Sequence, residues 1–459
     1  MDVSSYKGDS PNKKMVRALA WSFGVDLMKE INQEIKGAYV LAGHGGDIRT
    51  LKGAIDLLYP RKSDYSRKSY PVPRYPETWL HRPSVNITAV DFDKDLIKRL
   101  HKEISPLAEE SESGIQSIEG YVGDAARLVR KAAPYNMSHM DFCNAISVDN
   151  LYTVGEVIRA STGLSYHMVT VMRGRESGPR RNDIIVPDIH RGERRRILKD
   201  MKKAKSIDPH FIDVGSKILS RGLLDVKEAI KEVEVNMRAF VIAKKKATGI
   251  DESYLYFKKG GTLTPYATGI ARSTVFKELL GVMLRDTHAI GIAYTDSYHS
   301  NTVDSRGTPF TTFGILAVPI EGSANFPGIT YCHRNGSTEV STVDSPELAA
   351  GIADILLRRT EKLKLSGSKL ALYHGMKESD KVLRYNACLT AMYRGTKTAA
   401  DLYCVDKGTV TAWLAHANRG SYGDHLKDMG QRYAMFPPGH PSRPKAQTLC
   451  FADKTKFEF

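Results

Sequence analysis

Three glycines and four acids carry the spacing with most chemical promise. Gly43, Gly45 and Gly46 follow a short apolar run over 38–42 and lead directly into Asp47. Lacking a side chain, such positions let the backbone turn tightly and come close to a ligand. Asp91 follows a second apolar run over 85–90, Asp124 follows Gly123, and Asp141 closes a run over 137–141. A carboxylate in the place of Asp91 can accept hydrogen bonds from ribose hydroxyls, and one in the place of Asp124 from an adenine amino group. No G-x-x-x-x-G-K-[ST] loop occurs, which argues against a P-loop nucleotidase.

These residues need a scaffold that brings them to one edge, and the hydrophobic pattern supplies it. Helical spacing is expected over 21–35. Strand, glycine loop and helix follow in turn at 38–42, 43–47 and on through Leu51, Ala54 and Leu58. Strands are expected over 85–90, near 121–124, over 137–141 and over 166–172, each succeeded by a helix or preceded by one. Such alternation predicts an α/β fold with a mainly parallel, Rossmann-like sheet and helices on both faces. In that arrangement the strand ends carrying Asp91, Asp124 and Asp141 face the crevice where ligands bind. A helical insertion covers 193–205, 213–219 and 225–246, with a further helix over 273–285. Two strands over 289–294 and 310–318 flank a loop at 295–300, and another helix is expected over 346–363.

The ordered set resembles the class I S-adenosylmethionine (SAM)-dependent methyltransferases over about 41–172, with 289–318 similar to that family's last antiparallel pair. Gly43, Gly45 and Gly46 match its glycine loop, with Asp47 beside them. Asp91 matches the ribose-binding acid, Asp124 the adenine-binding turn, and Asp141 the acid that opens the catalytic motif. The resemblance implies SAM as cofactor, no metal, and Asp141 as the residue that binds or deprotonates the acceptor. A dinucleotide-binding dehydrogenase is the rival within the fold, but position 48 is Ile where its fingerprint wants Gly. Asp141-Phe142-Cys143-Asn144 departs from the family: it has neither the Pro-Pro of amino-methyltransferases nor the Pro before Cys of cytosine-C5 enzymes. Two readings follow, an active transferase of unassigned acceptor and a non-catalytic nucleic-acid-binding or assembly protein on the same scaffold.

The remaining features point to a polyanionic partner. The chain has 459 residues and a formal charge of +15, an excess that attracts nucleic acid. Between 59 and 84, basic residues such as Arg61, Lys68 and Arg82 alternate with Tyr65, Tyr70 and Trp79, a mixture suited to phosphate contact and base stacking. Residues 396–414 resemble a helix-turn-helix: small Ala400 where helices cross, Cys404-Val405 at the turn, and Val410, Trp413 and Leu414 on the second helix. That resemblance implies Lys407, Thr409 and Thr411 toward a groove, with Arg394, Lys397 and Arg419 near phosphates, DNA ahead of RNA as the partner, and a small core of its own. The expected domains are a methyltransferase-like 1–330 with insertions at about 59–84 and 175–288, a helical connector 331–370, a helix-turn-helix 371–420 and a tail 421–459. Five scattered cysteines without a C-x-x-C pair, and a polar start, fit a soluble protein of the reducing cytoplasm.

Overall fold

The computed structural model describes residues 10–30, 33–41, 45–59, 82–110, 113–142, 144–172, 308–319 and 395–417, with parts of 230–299 and 383–391. The elements in chain order are α1 (Pro11–Glu30), β1 (Gly37–Leu41), α2 (Gly46–Leu58), β2 (Val85–Asp91), α3 (Lys94–Ile104), α4 (Pro106–Glu109) and β3 (Ile115–Val122). There follow α5 (Ala125–Leu128), β4 (Met137–Asp141), α6 (Val148–Ala160), β5 (Ser165–Met172), α7 (Ser253–Tyr256), α8 (Pro265–Leu284), β6 (His288–His299), β7 (Pro309–Pro319), α9 (Thr396–Tyr403) and α10 (Lys407–Ala417).

Seven strands form one sheet in the order β3-β2-β1-β4-β5-β7-β6. β1 pairs in parallel with both β2 and β4, and β2 in parallel with β3, whereas β5 and β7 run antiparallel. The order therefore reverses at β1, the position at which open α/β sheets bind ligands. This is the expected α/β, Rossmann-like arrangement. Its inner strands β1 and β5 are apolar because they are covered on both faces: every residue of β5 is buried, as are Gly37 to Val40 of β1.

The first turns are fixed by local chemistry. Asp93 caps α3, its carboxylate accepting from the amides of Asp95 at 2.8 Å and Leu96 at 3.1 Å, and Ser147 caps α6 through the amide of Asn150. α3 then buries Leu96, Ile97, Leu100 and Ile104, one stripe of an otherwise charged helix. Gly37 opens β1 where a side chain has no room, since a Cβ would stand 2.4 Å from the Pro134 carbonyl oxygen.

The chain divides into two compact units. One comprises Met1–His139, Tyr298–Thr308 and Leu372–Phe459; the other comprises Met140–Ser297 and Pro309–Ala371. In the first, α1 starts ten residues earlier than its hydrophobic pattern announced and buries Leu19, Trp21 and Phe23 completely or nearly so. The loop expected at 295–300 is strand as far as His299. β6 lies at the sheet edge, where polar residues need not be buried, so its polar end continues the strand rather than breaking it. Of the helix expected over 225–246, the described residues between Ile230 and Lys246 are helical. The helices expected over 193–205, 213–219 and 346–363, the stretch 60–81 and the tail 421–459 lie outside the described residues.

Candidate functional site

The glycine turn joins β1 to α2. Gly45 is the residue before α2 and adopts φ 72°, a left-handed conformation that suits glycine; a Cβ there would also meet the Ile104 side chain at 2.9 Å. Gly46 begins the helix, and a Cβ on it would meet the Arg17 guanidinium at 2.7 Å. Gly43 lies outside the described residues. Asp47, expected beside the cofactor, follows as the second residue of α2. Its carboxylate is buried and turned inward, accepting from Trp21 Nε1 at 3.0 Å and bonded to His139 Nδ1. Burial alone would raise this carboxyl; the His139 and Arg17 charges and the two side-chain bonds outweigh it and hold the group well below the usual carboxylate range. Asp47 thus fastens the start of α2 to α1 and β4.

Asp91 and Asp124 are held together by the register of β2 and β3. Asp91 pairs with Val122, and the Gly123 amide donates to the Asp91 carbonyl at 2.8 Å. Asp91 is half-buried, its Oδ1 accepting from the Asp93 amide at 2.9 Å. Asp124 is exposed and caps α5, accepting from the Arg127 amide at 3.2 Å. Beneath it Tyr39 donates to the Ala125 carbonyl at 2.6 Å, and burial reinforced by the Asp124 charge keeps that phenol protonated. Between the two acids stand two apolar side chains that the sequence reading missed: Phe92, 75% exposed, and Val122, 47% exposed. Both directly adjoin the singled-out residues, and only the fold reveals that nothing of the sheet covers them.

Asp141 ends β4 as expected, in the second unit. The chain beyond it is held by the Phe142 amide donating to the Thr170 carbonyl and the Met172 amide donating to the Asn144 carbonyl, both at 2.9 Å. Asn150 Nδ2 donates to Asn144 Oδ1 at 2.5 Å and to the Ala145 carbonyl at 2.9 Å. Cys143 lies outside the described residues.

Near the C-terminus, α9 and α10 are joined by a turn in which Cys404 takes φ 49° and the Val405 amide bonds back to the Ala400 carbonyl at 3.0 Å. Ala391, Ala399, Ala400 and Val410 form a small core, with Val405 and Leu414 packed on it. Lys407 and Thr411 are exposed and Thr409 is half-buried; Asp406 Oδ1 accepts from the Gly408 and Thr409 amides, while Thr411 Oγ1 donates to the Lys407 carbonyl. Lys397, expected near phosphates, is exposed, and its ammonium pairs with Glu110 at 2.7 Å. Arg82 likewise turns inward, to the Asp56 carboxylate and the Ser113 carbonyl, rather than serving a basic surface. Arg394 and Arg419 lie outside the described residues.

Among the described residues no cluster of three or more His, Cys, Asp or Glu could hold a metal ion, and no helix is long and apolar enough to cross a membrane. No family model and no curated protein matches the chain. Solved structures similar to it include a SAM-dependent methyltransferase from Methanosarcina mazei, 11% identical, covering 62% of this chain and 92% of that one at a TM-score of 0.25. Another is the plantazolicin methyltransferase BamL in complex with a desmethyl analogue of plantazolicin and SAH, 10% identical, covering 66% and 85% at a TM-score of 0.25. The fold assignment rests on the strand order and pairing described above.

Proposed function

We propose that the chain is a methyltransferase-like protein that binds SAM at the ends of β1, β2 and β3 and acts on, or is held to, nucleic acid. The observation that carries this reading is the grouping of Asp91, Phe92, Val122 and Asp124 on two hydrogen-bonded strand ends. Two carboxylates beside two uncovered apolar side chains fit a nucleoside, which is polar at its ribose and at its base edge and apolar on its base faces. Asp91 accepts from the ribose hydroxyls, Asp124 from the adenine amino group, and Phe92 and Val122 cover the ring. Gly45 and Gly46 bring backbone close at the start of α2. When bound, SAM supplies a sulfonium methyl group open to direct attack by a nucleophile. Asp141 is the residue that would bind or deprotonate the acceptor.

Nucleic acid as acceptor is supported by the charge of +15 and by the α9–α10 pair, whose exposed Lys407 and Thr411 suit a groove. The absence of proline in Asp141-Phe142-Cys143-Asn144 favours a second reading, a scaffold that binds without transferring. Transfer of labelled methyl groups to mixed DNA and RNA separates the two. The active reading predicts incorporation by wild type and by Cys143→Ala, with loss in Asp141→Ala while SAM binding persists. SAM binding without transfer to any nucleic acid supports the scaffold instead.

A further inference from the structure

The helix α2 that begins at the glycine turn is backed by α9, which enters from the far end of the sequence. The two approach so closely at Gly53 that a Cβ there would stand 2.3 Å from the Leu402 backbone nitrogen and 2.4 Å from its Cα. Lys52, the residue before Gly53, is completely buried, its ammonium 2.9 Å from Asp56 on its own helix and 2.9 Å from Asp401 on α9. Glu110 adds a third carboxylate at 3.3 Å. A lysine with no access to water is held only while its partners stay in place, so this cluster admits one arrangement of α2 against α9. At the end nearer the glycine turn, Cys404 Sγ donates to the carbonyl of Gly46 at 3.0 Å and lies 3.2 Å from Thr50 Oγ1. Cys404 makes these contacts from a left-handed backbone, φ 49°, a conformation uncommon outside glycine. The C-terminal helix therefore reaches the first residue of the helix whose start would face the cofactor.

We infer that α9 is a positioning element of the cofactor half-site, in which Asp401, Leu402 and Cys404 fix the first turns of α2 and thereby the backbone of Gly45 and Gly46. None of the three touches the ligand; each acts through α2. The inference rests on the reading of this site as SAM-binding. It assigns α9 a second duty besides carrying α10, and joins residues some 350 positions apart in sequence in one half-site.

The test uses the full chain and S-adenosylhomocysteine (SAH), the demethylated product. Calorimetry is run on wild type, Cys404→Ala and Cys404→Ser, since serine retains a donor for the Gly46 carbonyl. Loss of one such bond corresponds to roughly two- to tenfold weaker SAH binding in Cys404→Ala, with recovery in Cys404→Ser. In parallel, wild type is alkylated with iodoacetamide and modification at Cys404 is followed by mass spectrometry. SAH is expected to slow that modification, because holding the start of α2 also holds its contact with Cys404. Tight SAH binding by Cys404→Ala, together with an unchanged alkylation rate in wild type, overturns the inference and leaves the cofactor assignment standing. Absence of SAH binding by wild type overturns both.

Discussion

Asp47 and Asp91 both follow an apolar strand, yet the fold gives them opposite work. Asp47 is buried against His139, Trp21 and Arg17, whereas Asp91 is half-buried at a strand end beside the exposed Phe92. Asp47→Ala removes one partner from a buried pair and is expected to cost about 3 kcal/mol in urea unfolding, whereas Asp91→Ala stays within about 1 kcal/mol of wild type. The Asp47 carboxyl is depressed in the folded state below its ordinary 3.8, so its stabilisation is present above that pH and is lost as the pH falls below it. The places of Asp91 and Asp141 at strand ends, and of Asp124 just past β3, were legible because strand ends can be read from apolar runs. The burial of Asp47 was not, since it depends on Trp21 and His139, which reach it from other elements. Phe92 was missed for the converse reason: an apolar residue next to an acid looks like core until the sheet is seen to leave it uncovered.

At the scale of the elements, α2 and α6 each carry a mid-helix glycine, and the two glycines are not equivalent. A Cβ on Gly53 would collide with the Leu402 backbone, which cannot yield without moving α9; a Cβ on Gly155 would meet side-chain ends, Met283 at 3.3 Å and Leu284 at 3.9 Å. Gly53→Ala is therefore expected to destabilise by roughly 2 kcal/mol or more, and Gly155→Ala to be neutral or to stabilise by up to about 1 kcal/mol through helix propensity. Thermal unfolding of both variants checks the pair, and equal midpoints would contradict the close packing of α2 on α9. Periodicity placed α2, α3, α6 and the five leading strands because each is apolar on a regular repeat. It also suggested that 396–414 has a small core, and one is present around Ala399 and Val410. What it could not reveal is that the other face of α9 belongs to α2. Lys52, Asp56 and Asp401 read as solvated charges along the chain, and only their mutual pairing allows them to be buried.

For the whole molecule, the pH response adds a second unit to the account. His167 is fully buried beside His288; burial first, and the neighbouring charge second, push His167 down to about 3 and His288 down to about 4. Both are neutral when folded and take up a proton more readily when unfolded. Their contribution is thus present above about pH 6.5 and lost as the pH falls toward 4, at up to about 1.4 kcal/mol per unit for each group. Unfolding by denaturant at pH 7 and pH 5 should register the difference, and a flat profile would contradict the burial of this pair. The central claim, however, concerns the first unit: that the ends of β2 and β3 hold an adenosyl group. Titration of SAH into the wild-type chain and into Asp91→Ala, followed by calorimetry, tests it most directly. Saturable binding by wild type is expected, with an affinity weaker by about 1–3 kcal/mol in the variant, the scale for an unmet polar partner. No heat at millimolar SAH, or equal affinity in the two proteins, would contradict it.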